Sequence, residues 1–245
     1  MPSDTNRNEV AAPTPPAPAN VLLATEDVHK SYRSAAGRLD VLMGIDLQIR
    51  RGEILVIVGA SGVGKSTLLH ILGALDRPTS GRVRLDGTDL FALSDRRQAR
   101  VRNKTLGFVF QFHHLLPDFT ALENVAMPLL ISGRKPPEAR RSAMSFLDEV
   151  GLSNRAHQKP NQLSGGEQQR VAVARALVNE PLVVLADEPS GNLDRANSEM
   201  LHDLIWELSR SRGRGFVIVT HNERLAERAD RRFRLMDGKL NEMNE

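Results

Sequence analysis

The residues Gly59-Ala60-Ser61-Gly62-Val63-Gly64-Lys65-Ser66-Thr67 set glycines, a lysine and hydroxyls at the spacing of a phosphate-binding loop. Glycine lets the backbone curl until successive N–H groups converge on phosphate oxygens at a helix N-terminus. Lys65 then reaches the β and γ phosphates and Ser66 holds Mg²⁺ through its hydroxyl, while Thr67 supports the loop or the phosphates. A second element, Leu182-Val183-Val184-Leu185-Ala186-Asp187-Glu188, ends an apolar run in two carboxylates, which are costly to bury without a cation or a proton. Mg²⁺ answers that cost for Asp187, leaving Glu188 to orient or deprotonate an attacking water. His221 closes another apolar run, Phe216 to Thr220, where its imidazole can sense the γ phosphate and hold the water or Glu188. The chemistry these groups suit is attack of water on the γ phosphorus of a nucleoside triphosphate. A dinucleotide site fits less well, because Lys65 stands where phosphate charge explains it better than close glycine packing.

Leu163-Ser164-Gly165-Gly166-Glu167-Gln168-Gln169-Arg170 opens a second helix with exposed backbone donors, a second terminus suited to an anion. A triphosphate has one terminal phosphate, and the first loop already takes it. The economical solution is a facing second copy of the chain, with Lys65 of one copy and Ser164 and Gly166 of the other closing each site in an isologous pair. Gln111 lies between a strand-like segment, Leu106 to Phe110, and a helical region, where its amide can meet Mg²⁺ or the water. Tyr32 is the chain's single tyrosine and either stacks on an adenine or is merely packed or exposed. Phe112 to Phe119 sets several large apolar groups in a loop, which argues for a partner. His113 and His114, without further ligands, make a poor metal site.

Several elements must position these groups. Val21 to Val28 and Leu42 to Ile49 have strand spacing with one wet face and suggest an antiparallel sheet. Arg51-Gly52-Glu53 turns into Ile54 to Val58, an unbroken apolar run suited to a strand buried on both sides, and a helix follows from about Lys65 with Leu68, Leu69, Ile71 and Leu72 inward. From about Thr120 to Gln162 helical spacing takes over, with Pro136-Pro137 at a helix entry. Parallel-sheet runs resume at Leu182 to Leu185 and Phe216 to Val219, and Phe233 and Leu235 precede an Asp237-Gly238 hairpin turn. The expected fold is α/β: a nucleotide-binding core with an antiparallel β subdomain and an inserted helical subdomain at about 112–162. The domain spans 21–240, between a proline-rich tail at 1–20 and a short one at 241–245.

Among 245 residues there is no cysteine, so disulfides, thiolate metal sites and cysteine nucleophiles are excluded. The longest apolar runs are far short of the roughly 20 residues that span a bilayer. A net charge of +3 from 33 basic and 30 acidic residues gives no reason to expect nucleic acid as a partner.

Taken together, these motifs resemble the ATP-binding cassette family over about residues 21 to 240. Gly59 to Thr67 and Leu182 to Glu188 look like its two nucleotide motifs, and Leu163 to Gln168 like its signature. Gln111, His221 and Gly191-Asn192-Leu193-Asp194 match its glutamine loop, its switch histidine and the loop by which paired domains communicate. The resemblance implies ATP with Mg²⁺ held by Ser66, Gln111 and Asp187. Catalysis would then fall to Lys65, Gln111, Glu188 and His221, adenine stacking to Tyr32, and contacts to the facing copy's nucleotide to Ser164, Gly165, Gly166 and Gln168. Val63 and Asn222 depart from the usual serine and aspartate without removing any of these groups. Gly107 to Leu130 and Leu69 to Gly81 are similar to the branch of the family that serves bacterial lipoprotein release. That branch implies a site at the cytoplasmic face of the inner membrane, two integral membrane subunits, and, indirectly, a lipoprotein substrate and a periplasmic acceptor. MacB-type exporters and FtsE-type cell-division complexes share the catalytic logic. Chromosome or repair ATPases need coiled-coil or nucleic-acid-binding additions, for which the chain has no sustained heptads.

Overall fold

The computed structural model describes residues 20–34 and 37–243. The tail expected at 1–20 falls outside them except for Asn20. The chain begins with two long strands, β1 (Val21–Ser34) and β2 (Gly37–Arg50), paired antiparallel with bulges around Val28 to Ser31. Buried and exposed residues alternate toward the end of β2, so one face is wet. After β3 (Ile54–Val58) and α1 (Lys65–Leu72), β4 (Ser80–Leu85) and β5 (Thr88–Asp89) join the same sheet, giving the order β2-β1-β4-β5. Then come α2 (Asp95–Thr105), β6 (Leu106–Val109), α3 (Ala121–Ile131), α4 (Pro136–Glu149) and α5 (Gly165–Leu177). The chain closes with β7 (Val183–Asp187), α6 (Arg195–Arg212), β8 (Gly215–Thr220), α7 (Glu223–Ala226), β9 (Arg231–Met236) and β10 (Lys239–Glu242).

The second sheet has the order β10-β9-β3-β8-β7-β6, with β9, β3, β8, β7 and β6 parallel. Its middle strands are apolar throughout because helices or the other sheet cover both faces. Ile54, Val56 and Val58 of β3 enter one core with α3 to α6, while Leu55 and Ile57 enter the other with α1 and the antiparallel sheet. Burying each such side chain is worth about 1.5–3 kcal/mol, so β3 ties the two cores together. The elements α2, β4, β5 and α7 were not read from the sequence. In α2 only Gln98 is buried, so there is no apolar stripe to see, and the first three residues of β4 are exposed. Arg96 and Arg97 lie exposed on α2, as expected of a solvated face. Among the described residues no helix is long and apolar enough to cross a membrane.

Thr120 caps α3 with a reciprocal box to Glu123, and α4 starts on Pro136. Between β6 and α3 the chain is held by Asn124, fully buried on α3. Its Nδ2 lies 3.1, 3.0 and 3.0 Å from the carbonyls of Leu116, Phe119 and Thr120, and its Oδ1 accepts the Leu116 N–H at 2.7 Å. Asn124→Ala strands several of these groups at about 1–3 kcal/mol each. Urea unfolding should therefore show a loss of about 2–4 kcal/mol.

Candidate active site

The carboxyl ends of β3, β7 and β8 point the same way, the edge at which open parallel sheets bind ligands. Past β3, the loop from Gly59 leads to Gly64 at the N-cap of α1, with φ 110. A Cβ at Gly64 would lie 2.8 Å from Val41 Cγ1, so both backbone conformation and space demand glycine here. No acidic side chain occupies the first turn of α1 and no side chain caps it, a terminus of the kind that suits an anion. Lys65, 8% exposed, folds over the loop and donates to the carbonyls of Gly59 at 2.8 Å and Ala60 at 2.9 Å. Its Nζ is 4.0 Å from Glu188 Oε1.

Asp187 ends β7, and Glu188 follows with φ 44, an uncommon conformation for a residue other than glycine. The turn aims the Glu188 side chain at the end of β8. Thr220 Oγ1 donates to its Oε2 at 2.8 Å, and His221 Nδ1 sits 2.9 Å from its Oε1. Asp187, Glu188, His221 and Gln111 line one cavity of about 640 Å³ with Ser61, Gly62 and the run Gly64 to Thr67. Tyr32, Leu39 and Val41 of the antiparallel sheet complete it, Tyr32 and Leu39 facing each other as a cross-strand pair. Gly59, Ala60 and Val63 of the same loop do not line the cavity.

Tyr32 has a partly exposed ring and an anchored hydroxyl, which donates to Asp76 Oδ2 at 2.9 Å. Lys30 Nζ lies 4.7 Å from the ring centroid, pairs with Asp76 Oδ1 at 2.7 Å and donates to the Arg77 carbonyl at 2.8 Å. Burial and the Asp76 carboxylate raise the tyrosine's pKa. Burial would raise that of Asp76, but hydrogen bonds from Lys30 and Tyr32 outweigh it and hold the carboxyl below its usual range.

Ser164, Gly165, Gly166 and Gln168 do not line the cavity. Ser164 caps α5 in a reciprocal box with Glu167, whose pKa is lowered chiefly by the Ser164 N–H and also by Arg155. Gly166 approaches α6 so closely that a Cβ would lie 2.6 Å from Asn197 Oδ1. The Gln168 amide donates to the carbonyls of Pro160 and Leu163, tying down the turn before α5. The next residue, the fully buried Gln169, meets His113 Nδ1 at 2.5 Å and donates to the Phe110 carbonyl at 3.2 Å. Arg175, its pKa lowered by burial, donates to the carbonyls of His113 and His114 at 2.7 Å. The segment after Gln111 is thus bolted to α5. Gln111 itself exchanges hydrogen bonds with Asn192, Nε2 to Oδ1 at 3.2 Å and Asn192 Nδ2 to its carbonyl at 3.0 Å.

Sequence reasoning passed over Asp76, Lys30, Thr220, Gln169 and Arg175. A glutamine at an inward position of α5 was the one readable signal. The others act through contacts between segments distant in the chain.

The chain belongs to the ABC transporter family, whose model matches residues 42–191. It is 57% identical over 219 residues, 89% of this chain and 97% of the relative, to the lipoprotein-releasing system ATP-binding protein LolD of Geobacter metallireducens. Its identity to the LolD of Porphyromonas gingivalis is 56% over 211 residues, 86% of this chain and 96% of that one. Among solved structures, the dimeric bacterial ABC transporter cassette MJ0796 superposes with a TM-score of 0.84 at 40% identity, covering 91% of this chain and 98% of that one. A post-hydrolysis state of the same cassette, bound to ADP and Pi, gives the same TM-score at 39% identity and the same coverage.

The Asp76 anchor has a pH signature. Its folded pKa is depressed, so its stabilisation is present above the unfolded value of about 3.9 and is lost as pH falls through the folded one. Melting curves should place Asp76→Asn below the wild type at neutral pH. The gap should begin to close only below about pH 4.

Proposed function

We propose that this chain is the ATP-hydrolysing subunit of a transporter that releases lipoproteins from the bacterial inner membrane. Two supports converge. One cavity holds Lys65, Asp187, Glu188 and His221, and the chain is 56–57% identical over the matched residues to LolD proteins, along nearly their whole length. The observation that carries the chemistry is the Glu188 carboxylate, held by Thr220 and His221 at the mouth of the phosphate loop.

In this reading the backbone from Gly59 to Gly64, with Lys65 and Thr67, cradles the phosphates, and Tyr32 stacks on adenine. Ser66, Gln111 and Asp187 supply a hydroxyl, an amide oxygen and a carboxylate, hard donors that suit Mg²⁺, which neutralises phosphate charge when bound. Glu188 orients water in line with the γ phosphorus and takes its proton, and His221 fixes the carboxylate from the other side. Ser164, Gly165 and Gly166, with Gln168 holding their turn, cap the nucleotide of a second copy. Because these residues lie outside the chain's own cavity, the contact falls to the facing subunit.

The nucleotide-binding unit starts near residue 21 and, because Asn241 and Glu242 pair with β9 in β10, runs through 242, two residues past the bound at 240 expected from the sequence; the helical lobe is at about 112–162. Phe112, Leu116, Phe119, Leu130 and Ile131 leave large apolar side chains exposed on or beside that lobe. Ile131 also lines a cavity of about 450 Å³ with Phe108, Phe110 and Pro128. This surface suits two integral membrane subunits resembling LolC and LolE, which would hold the chain at the cytoplasmic face of the inner membrane. Lipoprotein and its periplasmic acceptor meet those subunits rather than this chain.

Purification from detergent-solubilised membranes should recover the chain with two different membrane proteins that carry large periplasmic regions; recovery with a division complex would overturn the assignment. In that complex, Glu188→Gln should bind ATP normally while turnover falls by about 10²-fold or more. Unchanged turnover would remove Glu188 from its role. A mixing experiment tests the composite site. Gly165 has room for a side chain, the nearest atom to an added Cβ being 3.9 Å away. Lys65→Ala and Gly165→Asp chains should each be inactive as homodimers yet regain hydrolysis when mixed, since the mixed pair holds one intact site.

A further inference from the structure

The segment from Glu188 to Asp194 leaves the catalytic edge in a conformation that is hard to hold. It starts at Glu188 with φ 44, and Gly191, Asn192 and Asp194 are exposed. Its own turns are light: the Glu188 carbonyl accepts the Gly191 N–H at 3.0 Å and the Ser190 carbonyl accepts the Leu193 N–H at 3.1 Å. Leu193 gives it one apolar anchor against the core. Besides the Gln111–Asn192 bonds and the Ser198 hydroxyl, which donates to the Ser190 and Leu193 carbonyls at 3.4 Å, one further anchor is polar. Ser190 Oγ lies 2.8 Å from Nε2 of His202, a histidine on α6 that is 6% exposed.

We propose that His202 and Ser190 form a positioning pair that sets the geometry of the Glu188 to Asp194 segment, so that the rate of hydrolysis, rather than nucleotide binding, depends on their contact. The proposal rests on the ATPase reading above. Ser190 is two residues from Glu188 and two from Asn192, which meets Gln111. Pinning the serine therefore bears on Glu188 on one side and on Asn192 on the other. Gly191 packs against Gln111 as well, an added Cβ there lying 3.1 Å from Gln111 Nε2, so a small slip of the segment would displace the glutamine. The bond suits a neutral imidazole, which presents one donor and one acceptor nitrogen. Burial, helped by Arg228, lowers the His202 pKa against the opposing pull of Asp203 and Glu199, and so keeps the ring neutral. A buried imidazole serving only as filler would be replaceable by an apolar side chain of similar size. One that positions a catalytic segment would not.

The test is steady-state ATPase kinetics of the chain in its membrane complex, with thermal melting as a check on folding. For His202→Leu we expect kcat to fall about tenfold, the scale of a small misplacement of reacting groups, while the KM for ATP stays within about twofold. His202→Gln, which returns a polar atom near the Nε2 position, should recover most of the rate. Ser190→Ala should reproduce the loss. The double variant His202→Leu/Ser190→Ala should be no slower than the worse single one, as expected of two residues acting through one contact. Wild-type kcat in either single variant, or multiplied losses in the double, overturns the pair. Should His202→Leu fail to fold, Ser190→Ala decides alone. A wild-type complex that hydrolyses no ATP would sink the ATPase reading instead, which separates the two failures.

Discussion

A lysine ammonium and two carboxylates share one edge of a buried parallel sheet, and the rest of the molecule answers to that arrangement. Charges withdrawn from water are tolerable only with partners in good geometry. Lys65 has the carbonyls of its own loop and sits at 4.0 Å from Glu188. Glu188 in turn has Thr220 and His221. These groups hang from three places, the start of α1 and the ends of β7 and β8. Their spacing therefore depends on the hydrogen-bonded register of β3, β7 and β8, and this register is protected because no face of the three strands is wet.

The same sheet separates two mechanical neighbourhoods. On one side α1 and the antiparallel sheet hold the phosphate loop and Tyr32. On the other, α3 to α6 share a core with the alternate side chains of the same strands. The second neighbourhood is joined internally by polar bolts rather than by apolar packing alone: Gln169 and Arg175 of α5 grip the chain on either side of Gln111, and Asn192 grips Gln111 itself. A buried polar network of this kind has few satisfactory arrangements. Gln111 and the helical lobe thus share one set of bonds.

Much of this was legible in the chain. The unbroken run Ile54 to Val58 followed by glycines and Lys65 defines strand, loop and helix with little ambiguity, and the carboxylates after Leu182 to Ala186 announce the opposite wall. Periodicity failed where burial is slight. The helix α2 buries only Gln98, and β4 reaches the core only at its end, so neither writes an apolar pattern. The anchoring residues were hidden for another reason: Asp76 serves Tyr32 from 44 positions away, and Gln169 reaches Phe110 across 59. Bonds of that separation are a property of topology, which local spacing does not encode.

The close approach of Gly166 to Asn197 has a consequence for heredity. A methyl group at 166 would meet the Asn197 side chain of α6 within the same chain. Loss of function from a substitution there therefore reports on two neighbours at once, and the freedom of position 166 to vary is set by what stands at 197. Drift at the two sites should be coupled, with a smaller residue at 197 as the change that first opens 166 to others.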